Sequence, residues 1–127
     1  MRESCKGLVD YVSSRYGTVA EIGIGSFPDV AAALTRRGLC VLATDTRPFS
    51  YQSLQFFVDD ITAPEANRYR GVELLYALRP PPELVPYMAS LARALPADLI
   101  VKPLASDYVG RRLTRYGGTT FFLWEFI

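Results

Sequence analysis

Val19-Ala20-Glu21-Ile22-Gly23-Ile24-Gly25-Ser26-Phe27-Pro28-Asp29 is the stretch whose reading decides the fold. The apolar run over 19–22 is short, as a parallel strand covered on both faces should be. Gly23 and Gly25 follow it. They let the backbone turn sharply and, having no Cβ, approach a ligand closely. Ser26 is placed to cap the next helix, and Asp29 stands three residues on to return the bond. Pro28 fits a first helical turn, where its missing N–H is not needed. A strand, a glycine turn and a helix at the head of an α/β sheet form a common site for a nucleotide-like ligand.

The rest of the chain continues this alternation. Residues 3–16 carry Cys5, Leu8, Val9 and Val12 at roughly helical spacing and predict an opening helix that stops at Gly17. Strands are predicted over 18–22, 39–43, 55–58, 72–78 and 99–101, and helices over 27–37 and 82–95. A short helix is expected within 63–71 and another over 106–115. Gly117-Gly118 then turns the chain into a last strand over 119–127. Strands alternating with helices imply a mostly parallel sheet with right-handed crossovers.

Composition sets the bounds. The 127 residues suit a single domain over 1–127, half of them hydrophobic and about a fifth charged, which describes a globular chain. A net charge of +1 gives no general attraction to nucleic acid or membrane. The chain has no histidine, which removes histidine-dependent triads, ligands and acid–base chemistry. Cys5 and Cys40 are too few and too far apart for a zinc site or a disulfide framework, and Cys40 reads as inert packing in an apolar strand. No signal peptide and no long apolar run are visible, so a soluble, cytoplasmic protein is expected.

In an open α/β sheet, ligands bind beyond the carboxyl ends of the strands. Glu21, Gly23 and Gly25 stand at the end of the first strand here, and Asp45 at the end of the second. Asp59 and Asp60 close the third, Arg79 the fourth and Lys102 the fifth. Asp45 lies roughly twenty residues beyond Gly23, where a carboxylate accepts from a ribose diol or else caps its own turn. Asp60 accepts from an adenine amino group or caps Ile61-Thr62. A dinucleotide fingerprint wants a third glycine where Pro28 stands, which disfavours a nicotinamide dinucleotide.

Glu21-x-Gly23-x-Gly25, Asp45 and Asp59-Asp60 resemble the S-adenosylmethionine-binding half of class I methyltransferases, over residues 17–103. The resemblance implies an α/β, three-layer Rossmann-like sandwich with a mostly parallel sheet of order 3-2-1-4-5. An antiparallel C-terminal strand should lie beside strand 5. It also implies S-adenosylmethionine as cofactor, with Glu21, Gly23, Gly25, Asp45 and Asp60 as its binding residues. Leu74-Leu75-Tyr76-Ala77-Leu78-Arg79-Pro80-Pro81-Pro82-Glu83-Leu84 and Asp98-Leu99-Ile100-Val101-Lys102-Pro103-Leu104 are similar to a small archaeal family of uncharacterised proteins with a shortened methyltransferase-like core.

Amine-methylating nucleic-acid enzymes carry Asp or Asn before Pro-Pro-aromatic at the fourth strand's end. Arg79 stands there instead, and a guanidinium accepts no hydrogen bond from an amine. The leading expectation is a small methyltransferase with an unidentified acceptor; Arg79 and Lys102 either hold an anionic acceptor or are solvated, salt-bridged side chains. The alternative is a non-catalytic nucleoside-binding or interaction module that kept the fold. The last strand is apolar on both faces, so its outer edge must be covered. A segment over 104–116 shielding a monomer is expected ahead of a two-fold dimer.

Overall fold

The computed structural model describes residues 3–103 and 113–127. The chain opens with α1 (Glu3–Arg15), followed by β1 (Thr18–Ile22) and α2 (Asp29–Arg36). β2 (Cys40–Asp45) and β3 (Gln55–Val58) come next without an intervening helix. A single 3₁₀ turn (Ala66–Tyr69) leads to β4 (Leu74–Leu78), and a second (Pro82–Leu84) runs into α3 (Val85–Ala94). β5 (Asp98–Lys102), β6 (Leu113–Tyr116) and β7 (Thr119–Trp124) complete the described chain.

Among the described residues the strands form one seven-stranded sheet of order β3-β2-β1-β4-β5-β7-β6. β3, β2, β1, β4 and β5 run parallel, and β7 lies antiparallel to both β5 and β6. The expected three-layer arrangement is therefore present. α1 and α2 pack with Val19, Val41, Tyr76 and Ile100 on one face, while α3 packs with Ala20, Leu75, Leu99 and Val101 on the other. β1, β4 and β5 are buried on both faces, which is why they read as continuous apolar runs rather than alternating ones.

Four expectations are corrected. Helix 106–115 is not borne out at its end: 106–112 lies outside the described residues, and 113–115 belongs to β6. The cause is the turn. Gly117 and Gly118 both take positive φ (54° and 77°), the pairing that a two-residue hairpin demands, so Tyr116 registers against Thr119 and a strand forms. β6 thereby covers the edge of β7 that the sequence left open; the 104–112 part of the expected shield lies outside the described residues.

Second, Ser26 does not cap α2. Pro28 occupies the N-cap position, and no side chain bonds to the helix start, so the Ser26–Asp29 reciprocal bond is absent. The Pro28 carbonyl accepts the first intrahelical bond, from Ala32 N–H at 2.8 Å.

Third, Cys40 is exposed, not packed. It lies on the face that bears α3, and α3 packs over β4 and β5, leaving the start of β2 bare. Fourth, the last strand stops at Trp124 rather than 127. Phe126 and Ile127 leave the ladder because their N–H groups donate to Asp98 Oδ1, at 2.9 and 3.2 Å.

Candidate functional site

The chain passes from β1 outward through β2 to β3, then crosses back to β4 and β5 on the other side. The order reverses between β1 and β4, and there the carboxyl ends of the strands leave a crevice. A cleft of about 240 Å³ opens at that place. Its walls come from four adjacent strand ends: Asp59 and Ile61 beyond β3, Thr44 and Asp45 at β2, Ile22 and Gly23 at β1, Leu78 and Arg79 at β4. Leu84 and Met88 form an apolar side above α3's first turns.

Backbone contacts hold the glycine loop. Gly23 N–H and Ile24 N–H both donate to the Thr44 carbonyl, at 2.9 and 3.0 Å. Gly23 and Gly25 have φ of 72° and 61°, which a side chain would strain. A Cβ on either would meet nothing within 4 Å, so the space beside the loop is open. Gly25 N–H donates to Asp45 Oδ2 at 2.7 Å, while Asp45 Oδ1 accepts from Thr46 N–H at 2.7 Å and Arg47 N–H at 3.3 Å. Asp45 is thus both a turn cap and a tether for the loop. A carboxylate oxygen has two lone pairs, which leaves Oδ2 one further acceptor position on a residue that lines the cleft.

The structure brings Gly23, Asp45 and Arg79 together around the cleft, with Gly25 joined to them through Asp45. It places the other sequence candidates elsewhere. Asp60 is exposed and accepts from Thr62 N–H (2.9 Å) and Oγ1 (2.8 Å), which hold its carboxyl below the usual range. Its neighbour Asp59 lines the cleft instead. Asp59 Oδ2 accepts from the Tyr69 hydroxyl at 2.6 Å, and burial with this acceptor pushes Tyr69 well above the usual tyrosine range. Nothing in the Asp59-Asp60 pair distinguishes the two members; a strand ending one residue earlier or later exchanges them.

Lys102 follows Ile100 on the face that bears α1, and its Nζ donates to the Thr120 carbonyl at 2.7 Å. Desolvation lowers its pKa, with the Arg79 charge acting in the same direction and Cys5 opposing. Arg79 and Lys102 are adjacent through their backbones, Arg79 N–H donating to Lys102 O at 2.7 Å, but only Arg79 lines the cleft.

Glu21 is 1 % exposed and lies within the sheet beside Tyr76, whose hydroxyl donates to Glu21 Oε1 at 2.7 Å. Burial raises the Glu21 carboxyl to about 8, against the smaller lowering effect of Tyr76, which favours its protonated form. It supports the β1 end from behind rather than lining the cleft. Sequence reasoning missed Tyr76; a phenol in the otherwise aliphatic run of β4 was the signal available.

A model of the family described as "Uncharacterised protein family (UPF0146)" matches residues 6–125. A protein of that family from Archaeoglobus fulgidus is 42% identical over 118 residues, covering 91% of each chain. One from Pyrococcus horikoshii is 33% identical over 118 residues, covering 87% of this chain and 90% of the other. Among solved structures, a sugar N-methyltransferase from a Streptoalloteichus species superposes with a TM-score of 0.61 at 12% identity. The match covers 95% of this chain and 58% of the enzyme, so the chain spans little more than half of that protein. An S-adenosyl-L-methionine methyl transferase from Silicibacter pomeroyi superposes with a TM-score of 0.56 at 14% identity, over 94% of this chain and 88% of the other. At these identities the likeness is one of fold.

Proposed function

The chain belongs to the uncharacterised family UPF0146, and from that premise we propose that it binds S-adenosylmethionine or S-adenosylhomocysteine in the cleft between β1 and β4, as a small methyltransferase. One observation carries this reading. Asp45, at the end of β2, tethers the glycine loop, keeps a further acceptor position and lines a cleft whose loop side is open. On this reading Asp45 receives a ribose hydroxyl, and Gly23 and Gly25 admit the ligand beside the backbone. Asp59 and Ile61 flank the base, with Asp60 holding their turn. Glu21 fixes the β1 end through Tyr76. When bound, the sulfonium of such a cofactor supplies an activated methyl group. The protein's part is then to hold an acceptor in line with it.

A second reading, binding without turnover, is favoured by one specific observation. Both carboxylates that line the cleft, Asp45 and Asp59, are already engaged by donors of the protein itself. Each is committed to holding the protein's own turns.

Calorimetry with S-adenosylmethionine and S-adenosylhomocysteine tests the cofactor assignment. Asp45→Ala should weaken binding by about 1–3 kcal/mol through lost charge-assisted bonds and a loosened loop. Failure of the wild-type chain to bind either compound at millimolar concentration would remove the assignment. Equal affinity in Asp45→Ala would remove the role given to Asp45.

A further inference from the structure

Arg79 has a backbone conformation that its sequence context opposes. Its φ is 54°, in the left-handed region that non-glycine residues avoid. Pro80 follows, and the ring of a proline biases the residue before it toward extended conformations. Such strain persists only where the surroundings impose it, and it clusters at functional sites. Here the Lys102 carbonyl takes the Arg79 N–H on one side. On the other, Pro80 and Pro81 lead into the 3₁₀ turn, where Leu84 N–H donates to the Pro81 carbonyl at 3.0 Å. Among the described residues no carboxylate pairs with the Arg79 guanidinium.

The position of this cation along the cleft is informative. Adjacent strands lie about 4.8 Å apart, so the ends of β3 and β4, three spacings from one another, are separated by about 14 Å. The cleft is polarised along that line. Asp59 and Asp45 stand at the β3 and β2 ends, the uncharged glycine loop at β1, and Arg79 at β4. A ligand with hydroxyls on Asp45 and its base toward β3 extends its remaining part past Gly23 to Arg79. A planar, permanently charged fork at the far end suits a carboxylate, which it takes bidentately.

We infer that Arg79 is the carboxylate-recognising residue of this cleft, presented there by its left-handed backbone at the β4 end. The direction of the ligand rests on the nucleoside reading above; the preference for a carboxylate rests on Arg79 itself. The carboxylate comes from one of two sources: the amino-acid tail of the nucleoside ligand, or a separate acceptor bound beside it. In the second case an acceptor carboxylate needs no base. Its oxygen forms the bond to the methyl carbon, the carbon–sulfur bond breaks with its electron pair left on sulfur, and the products are a neutral ester and a thioether. That agrees with a cleft whose own carboxylates are engaged.

The test compares the full wild-type chain with Arg79→Gln, and with Arg79→Gly, whose backbone is at ease at this φ and guards against a folding defect. Two ligands are titrated by calorimetry: S-adenosylhomocysteine and methylthioadenosine, which lacks the amino-acid tail. The Arg79 Nε–H is followed by NMR as sodium acetate is added to millimolar concentration. The expected result is that both variants lose about tenfold or more in affinity for S-adenosylhomocysteine and none for methylthioadenosine, which identifies the ligand's own tail. If both nucleosides bind all three proteins equally and acetate shifts the Arg79 resonance of the nucleoside-saturated wild type, the separate acceptor is identified. Equal weakening of both nucleosides, or no effect of the variants together with no acetate shift, overturns the inference. If neither nucleoside binds the wild type, the cofactor reading falls, and the acetate titration of the free chain still decides for or against Arg79.

Discussion

Glu21→Gln gives the sharpest test of the reasoning about the β1 end. The Glu21 carboxyl is buried in the sheet with the Tyr76 hydroxyl as its hydrogen-bond partner, and burial raises it from 4.5 to about 8. The folded chain therefore holds a proton that the unfolded chain releases between those values. A folded-state pKa above the unfolded one gives stability that is full below the unfolded pKa and is lost as pH rises through the folded pKa. Each tenfold change in proton affinity is worth about 1.4 kcal/mol, so the loss between pH 4.5 and 8 is at most on the order of 5 kcal/mol. For a chain of this length that is about 15 °C in Tm.

Glutamine keeps the shape and the acceptor and has nothing to ionise. Urea unfolding of wild type and Glu21→Gln at pH 5, 7 and 9 reads the difference. The two should be similar at pH 5, and the variant more stable at pH 9 by several kcal/mol. Tyr76→Phe, which removes the one bond that lowers the Glu21 carboxyl, should steepen the wild-type trend. Glu73, Asp60 and Asp10 do not interfere. Their carboxyls are held low by the Gly17 N–H, the Thr62 N–H and Arg37 respectively, so their contributions disappear only in acid, as pH falls below the usual carboxylate range. Parallel pH dependences for wild type and Glu21→Gln would refute a buried, protonated Glu21.

The remaining predictions concern packing and strain. Asp98→Ala should cost about 2–4 kcal/mol in urea unfolding and speed hydrogen exchange at Phe126 and Ile127, because one carboxylate serves both those amides and the Tyr16 hydroxyl; unchanged exchange would count against a pinned tail. Gly7→Ala would place a Cβ 2.7 Å from the Gly117 carbonyl oxygen. It should destabilise by about 1–3 kcal/mol despite alanine's better helix propensity, and a gain in stability would show that α1 does not rest on the hairpin turn. Arg79→Gly should raise the unfolding free energy by about 1 kcal/mol through release of the positive-φ strain, read as a higher urea midpoint; a loss of stability would show that the guanidinium contributes to the fold rather than to a ligand.

Much of the architecture was legible in local pattern. The short apolar run between Gly17 and Gly23 located β1 to the residue, because burial on both faces leaves little choice of residue type, and Asp59-Asp60 marked the end of the apolar run of β3, whose outer positions are exposed. The sharp turn at Gly23 and Gly25 likewise followed from residue type and position, and both take positive φ. The helix expected through 113–115 failed because strand or helix there depends on β7, which supplies the partner ladder once Gly117-Gly118 has closed the turn.

The site divides along the same line. Asp45 was legible as the acid at a strand end. Whether Asp59 or Asp60 enters the cleft was not, since their side chains diverge and the choice follows from which one Tyr69 engages. Arg79 and Lys102 look equivalent in sequence, each a cation closing a strand. The structure gives them different places: Lys102 continues the alternation of β5 onto the α1 face and meets Thr120, whereas Arg79, left-handed in its backbone just beyond β4, lines the cleft. The state of Glu21 was hidden most completely. It is set by burial and by a phenol 55 residues away, brought alongside only when β1 and β4 pair in register. A proton's affinity depends on what surrounds the carboxyl in space, and here that surrounding comes from the far side of the crossover.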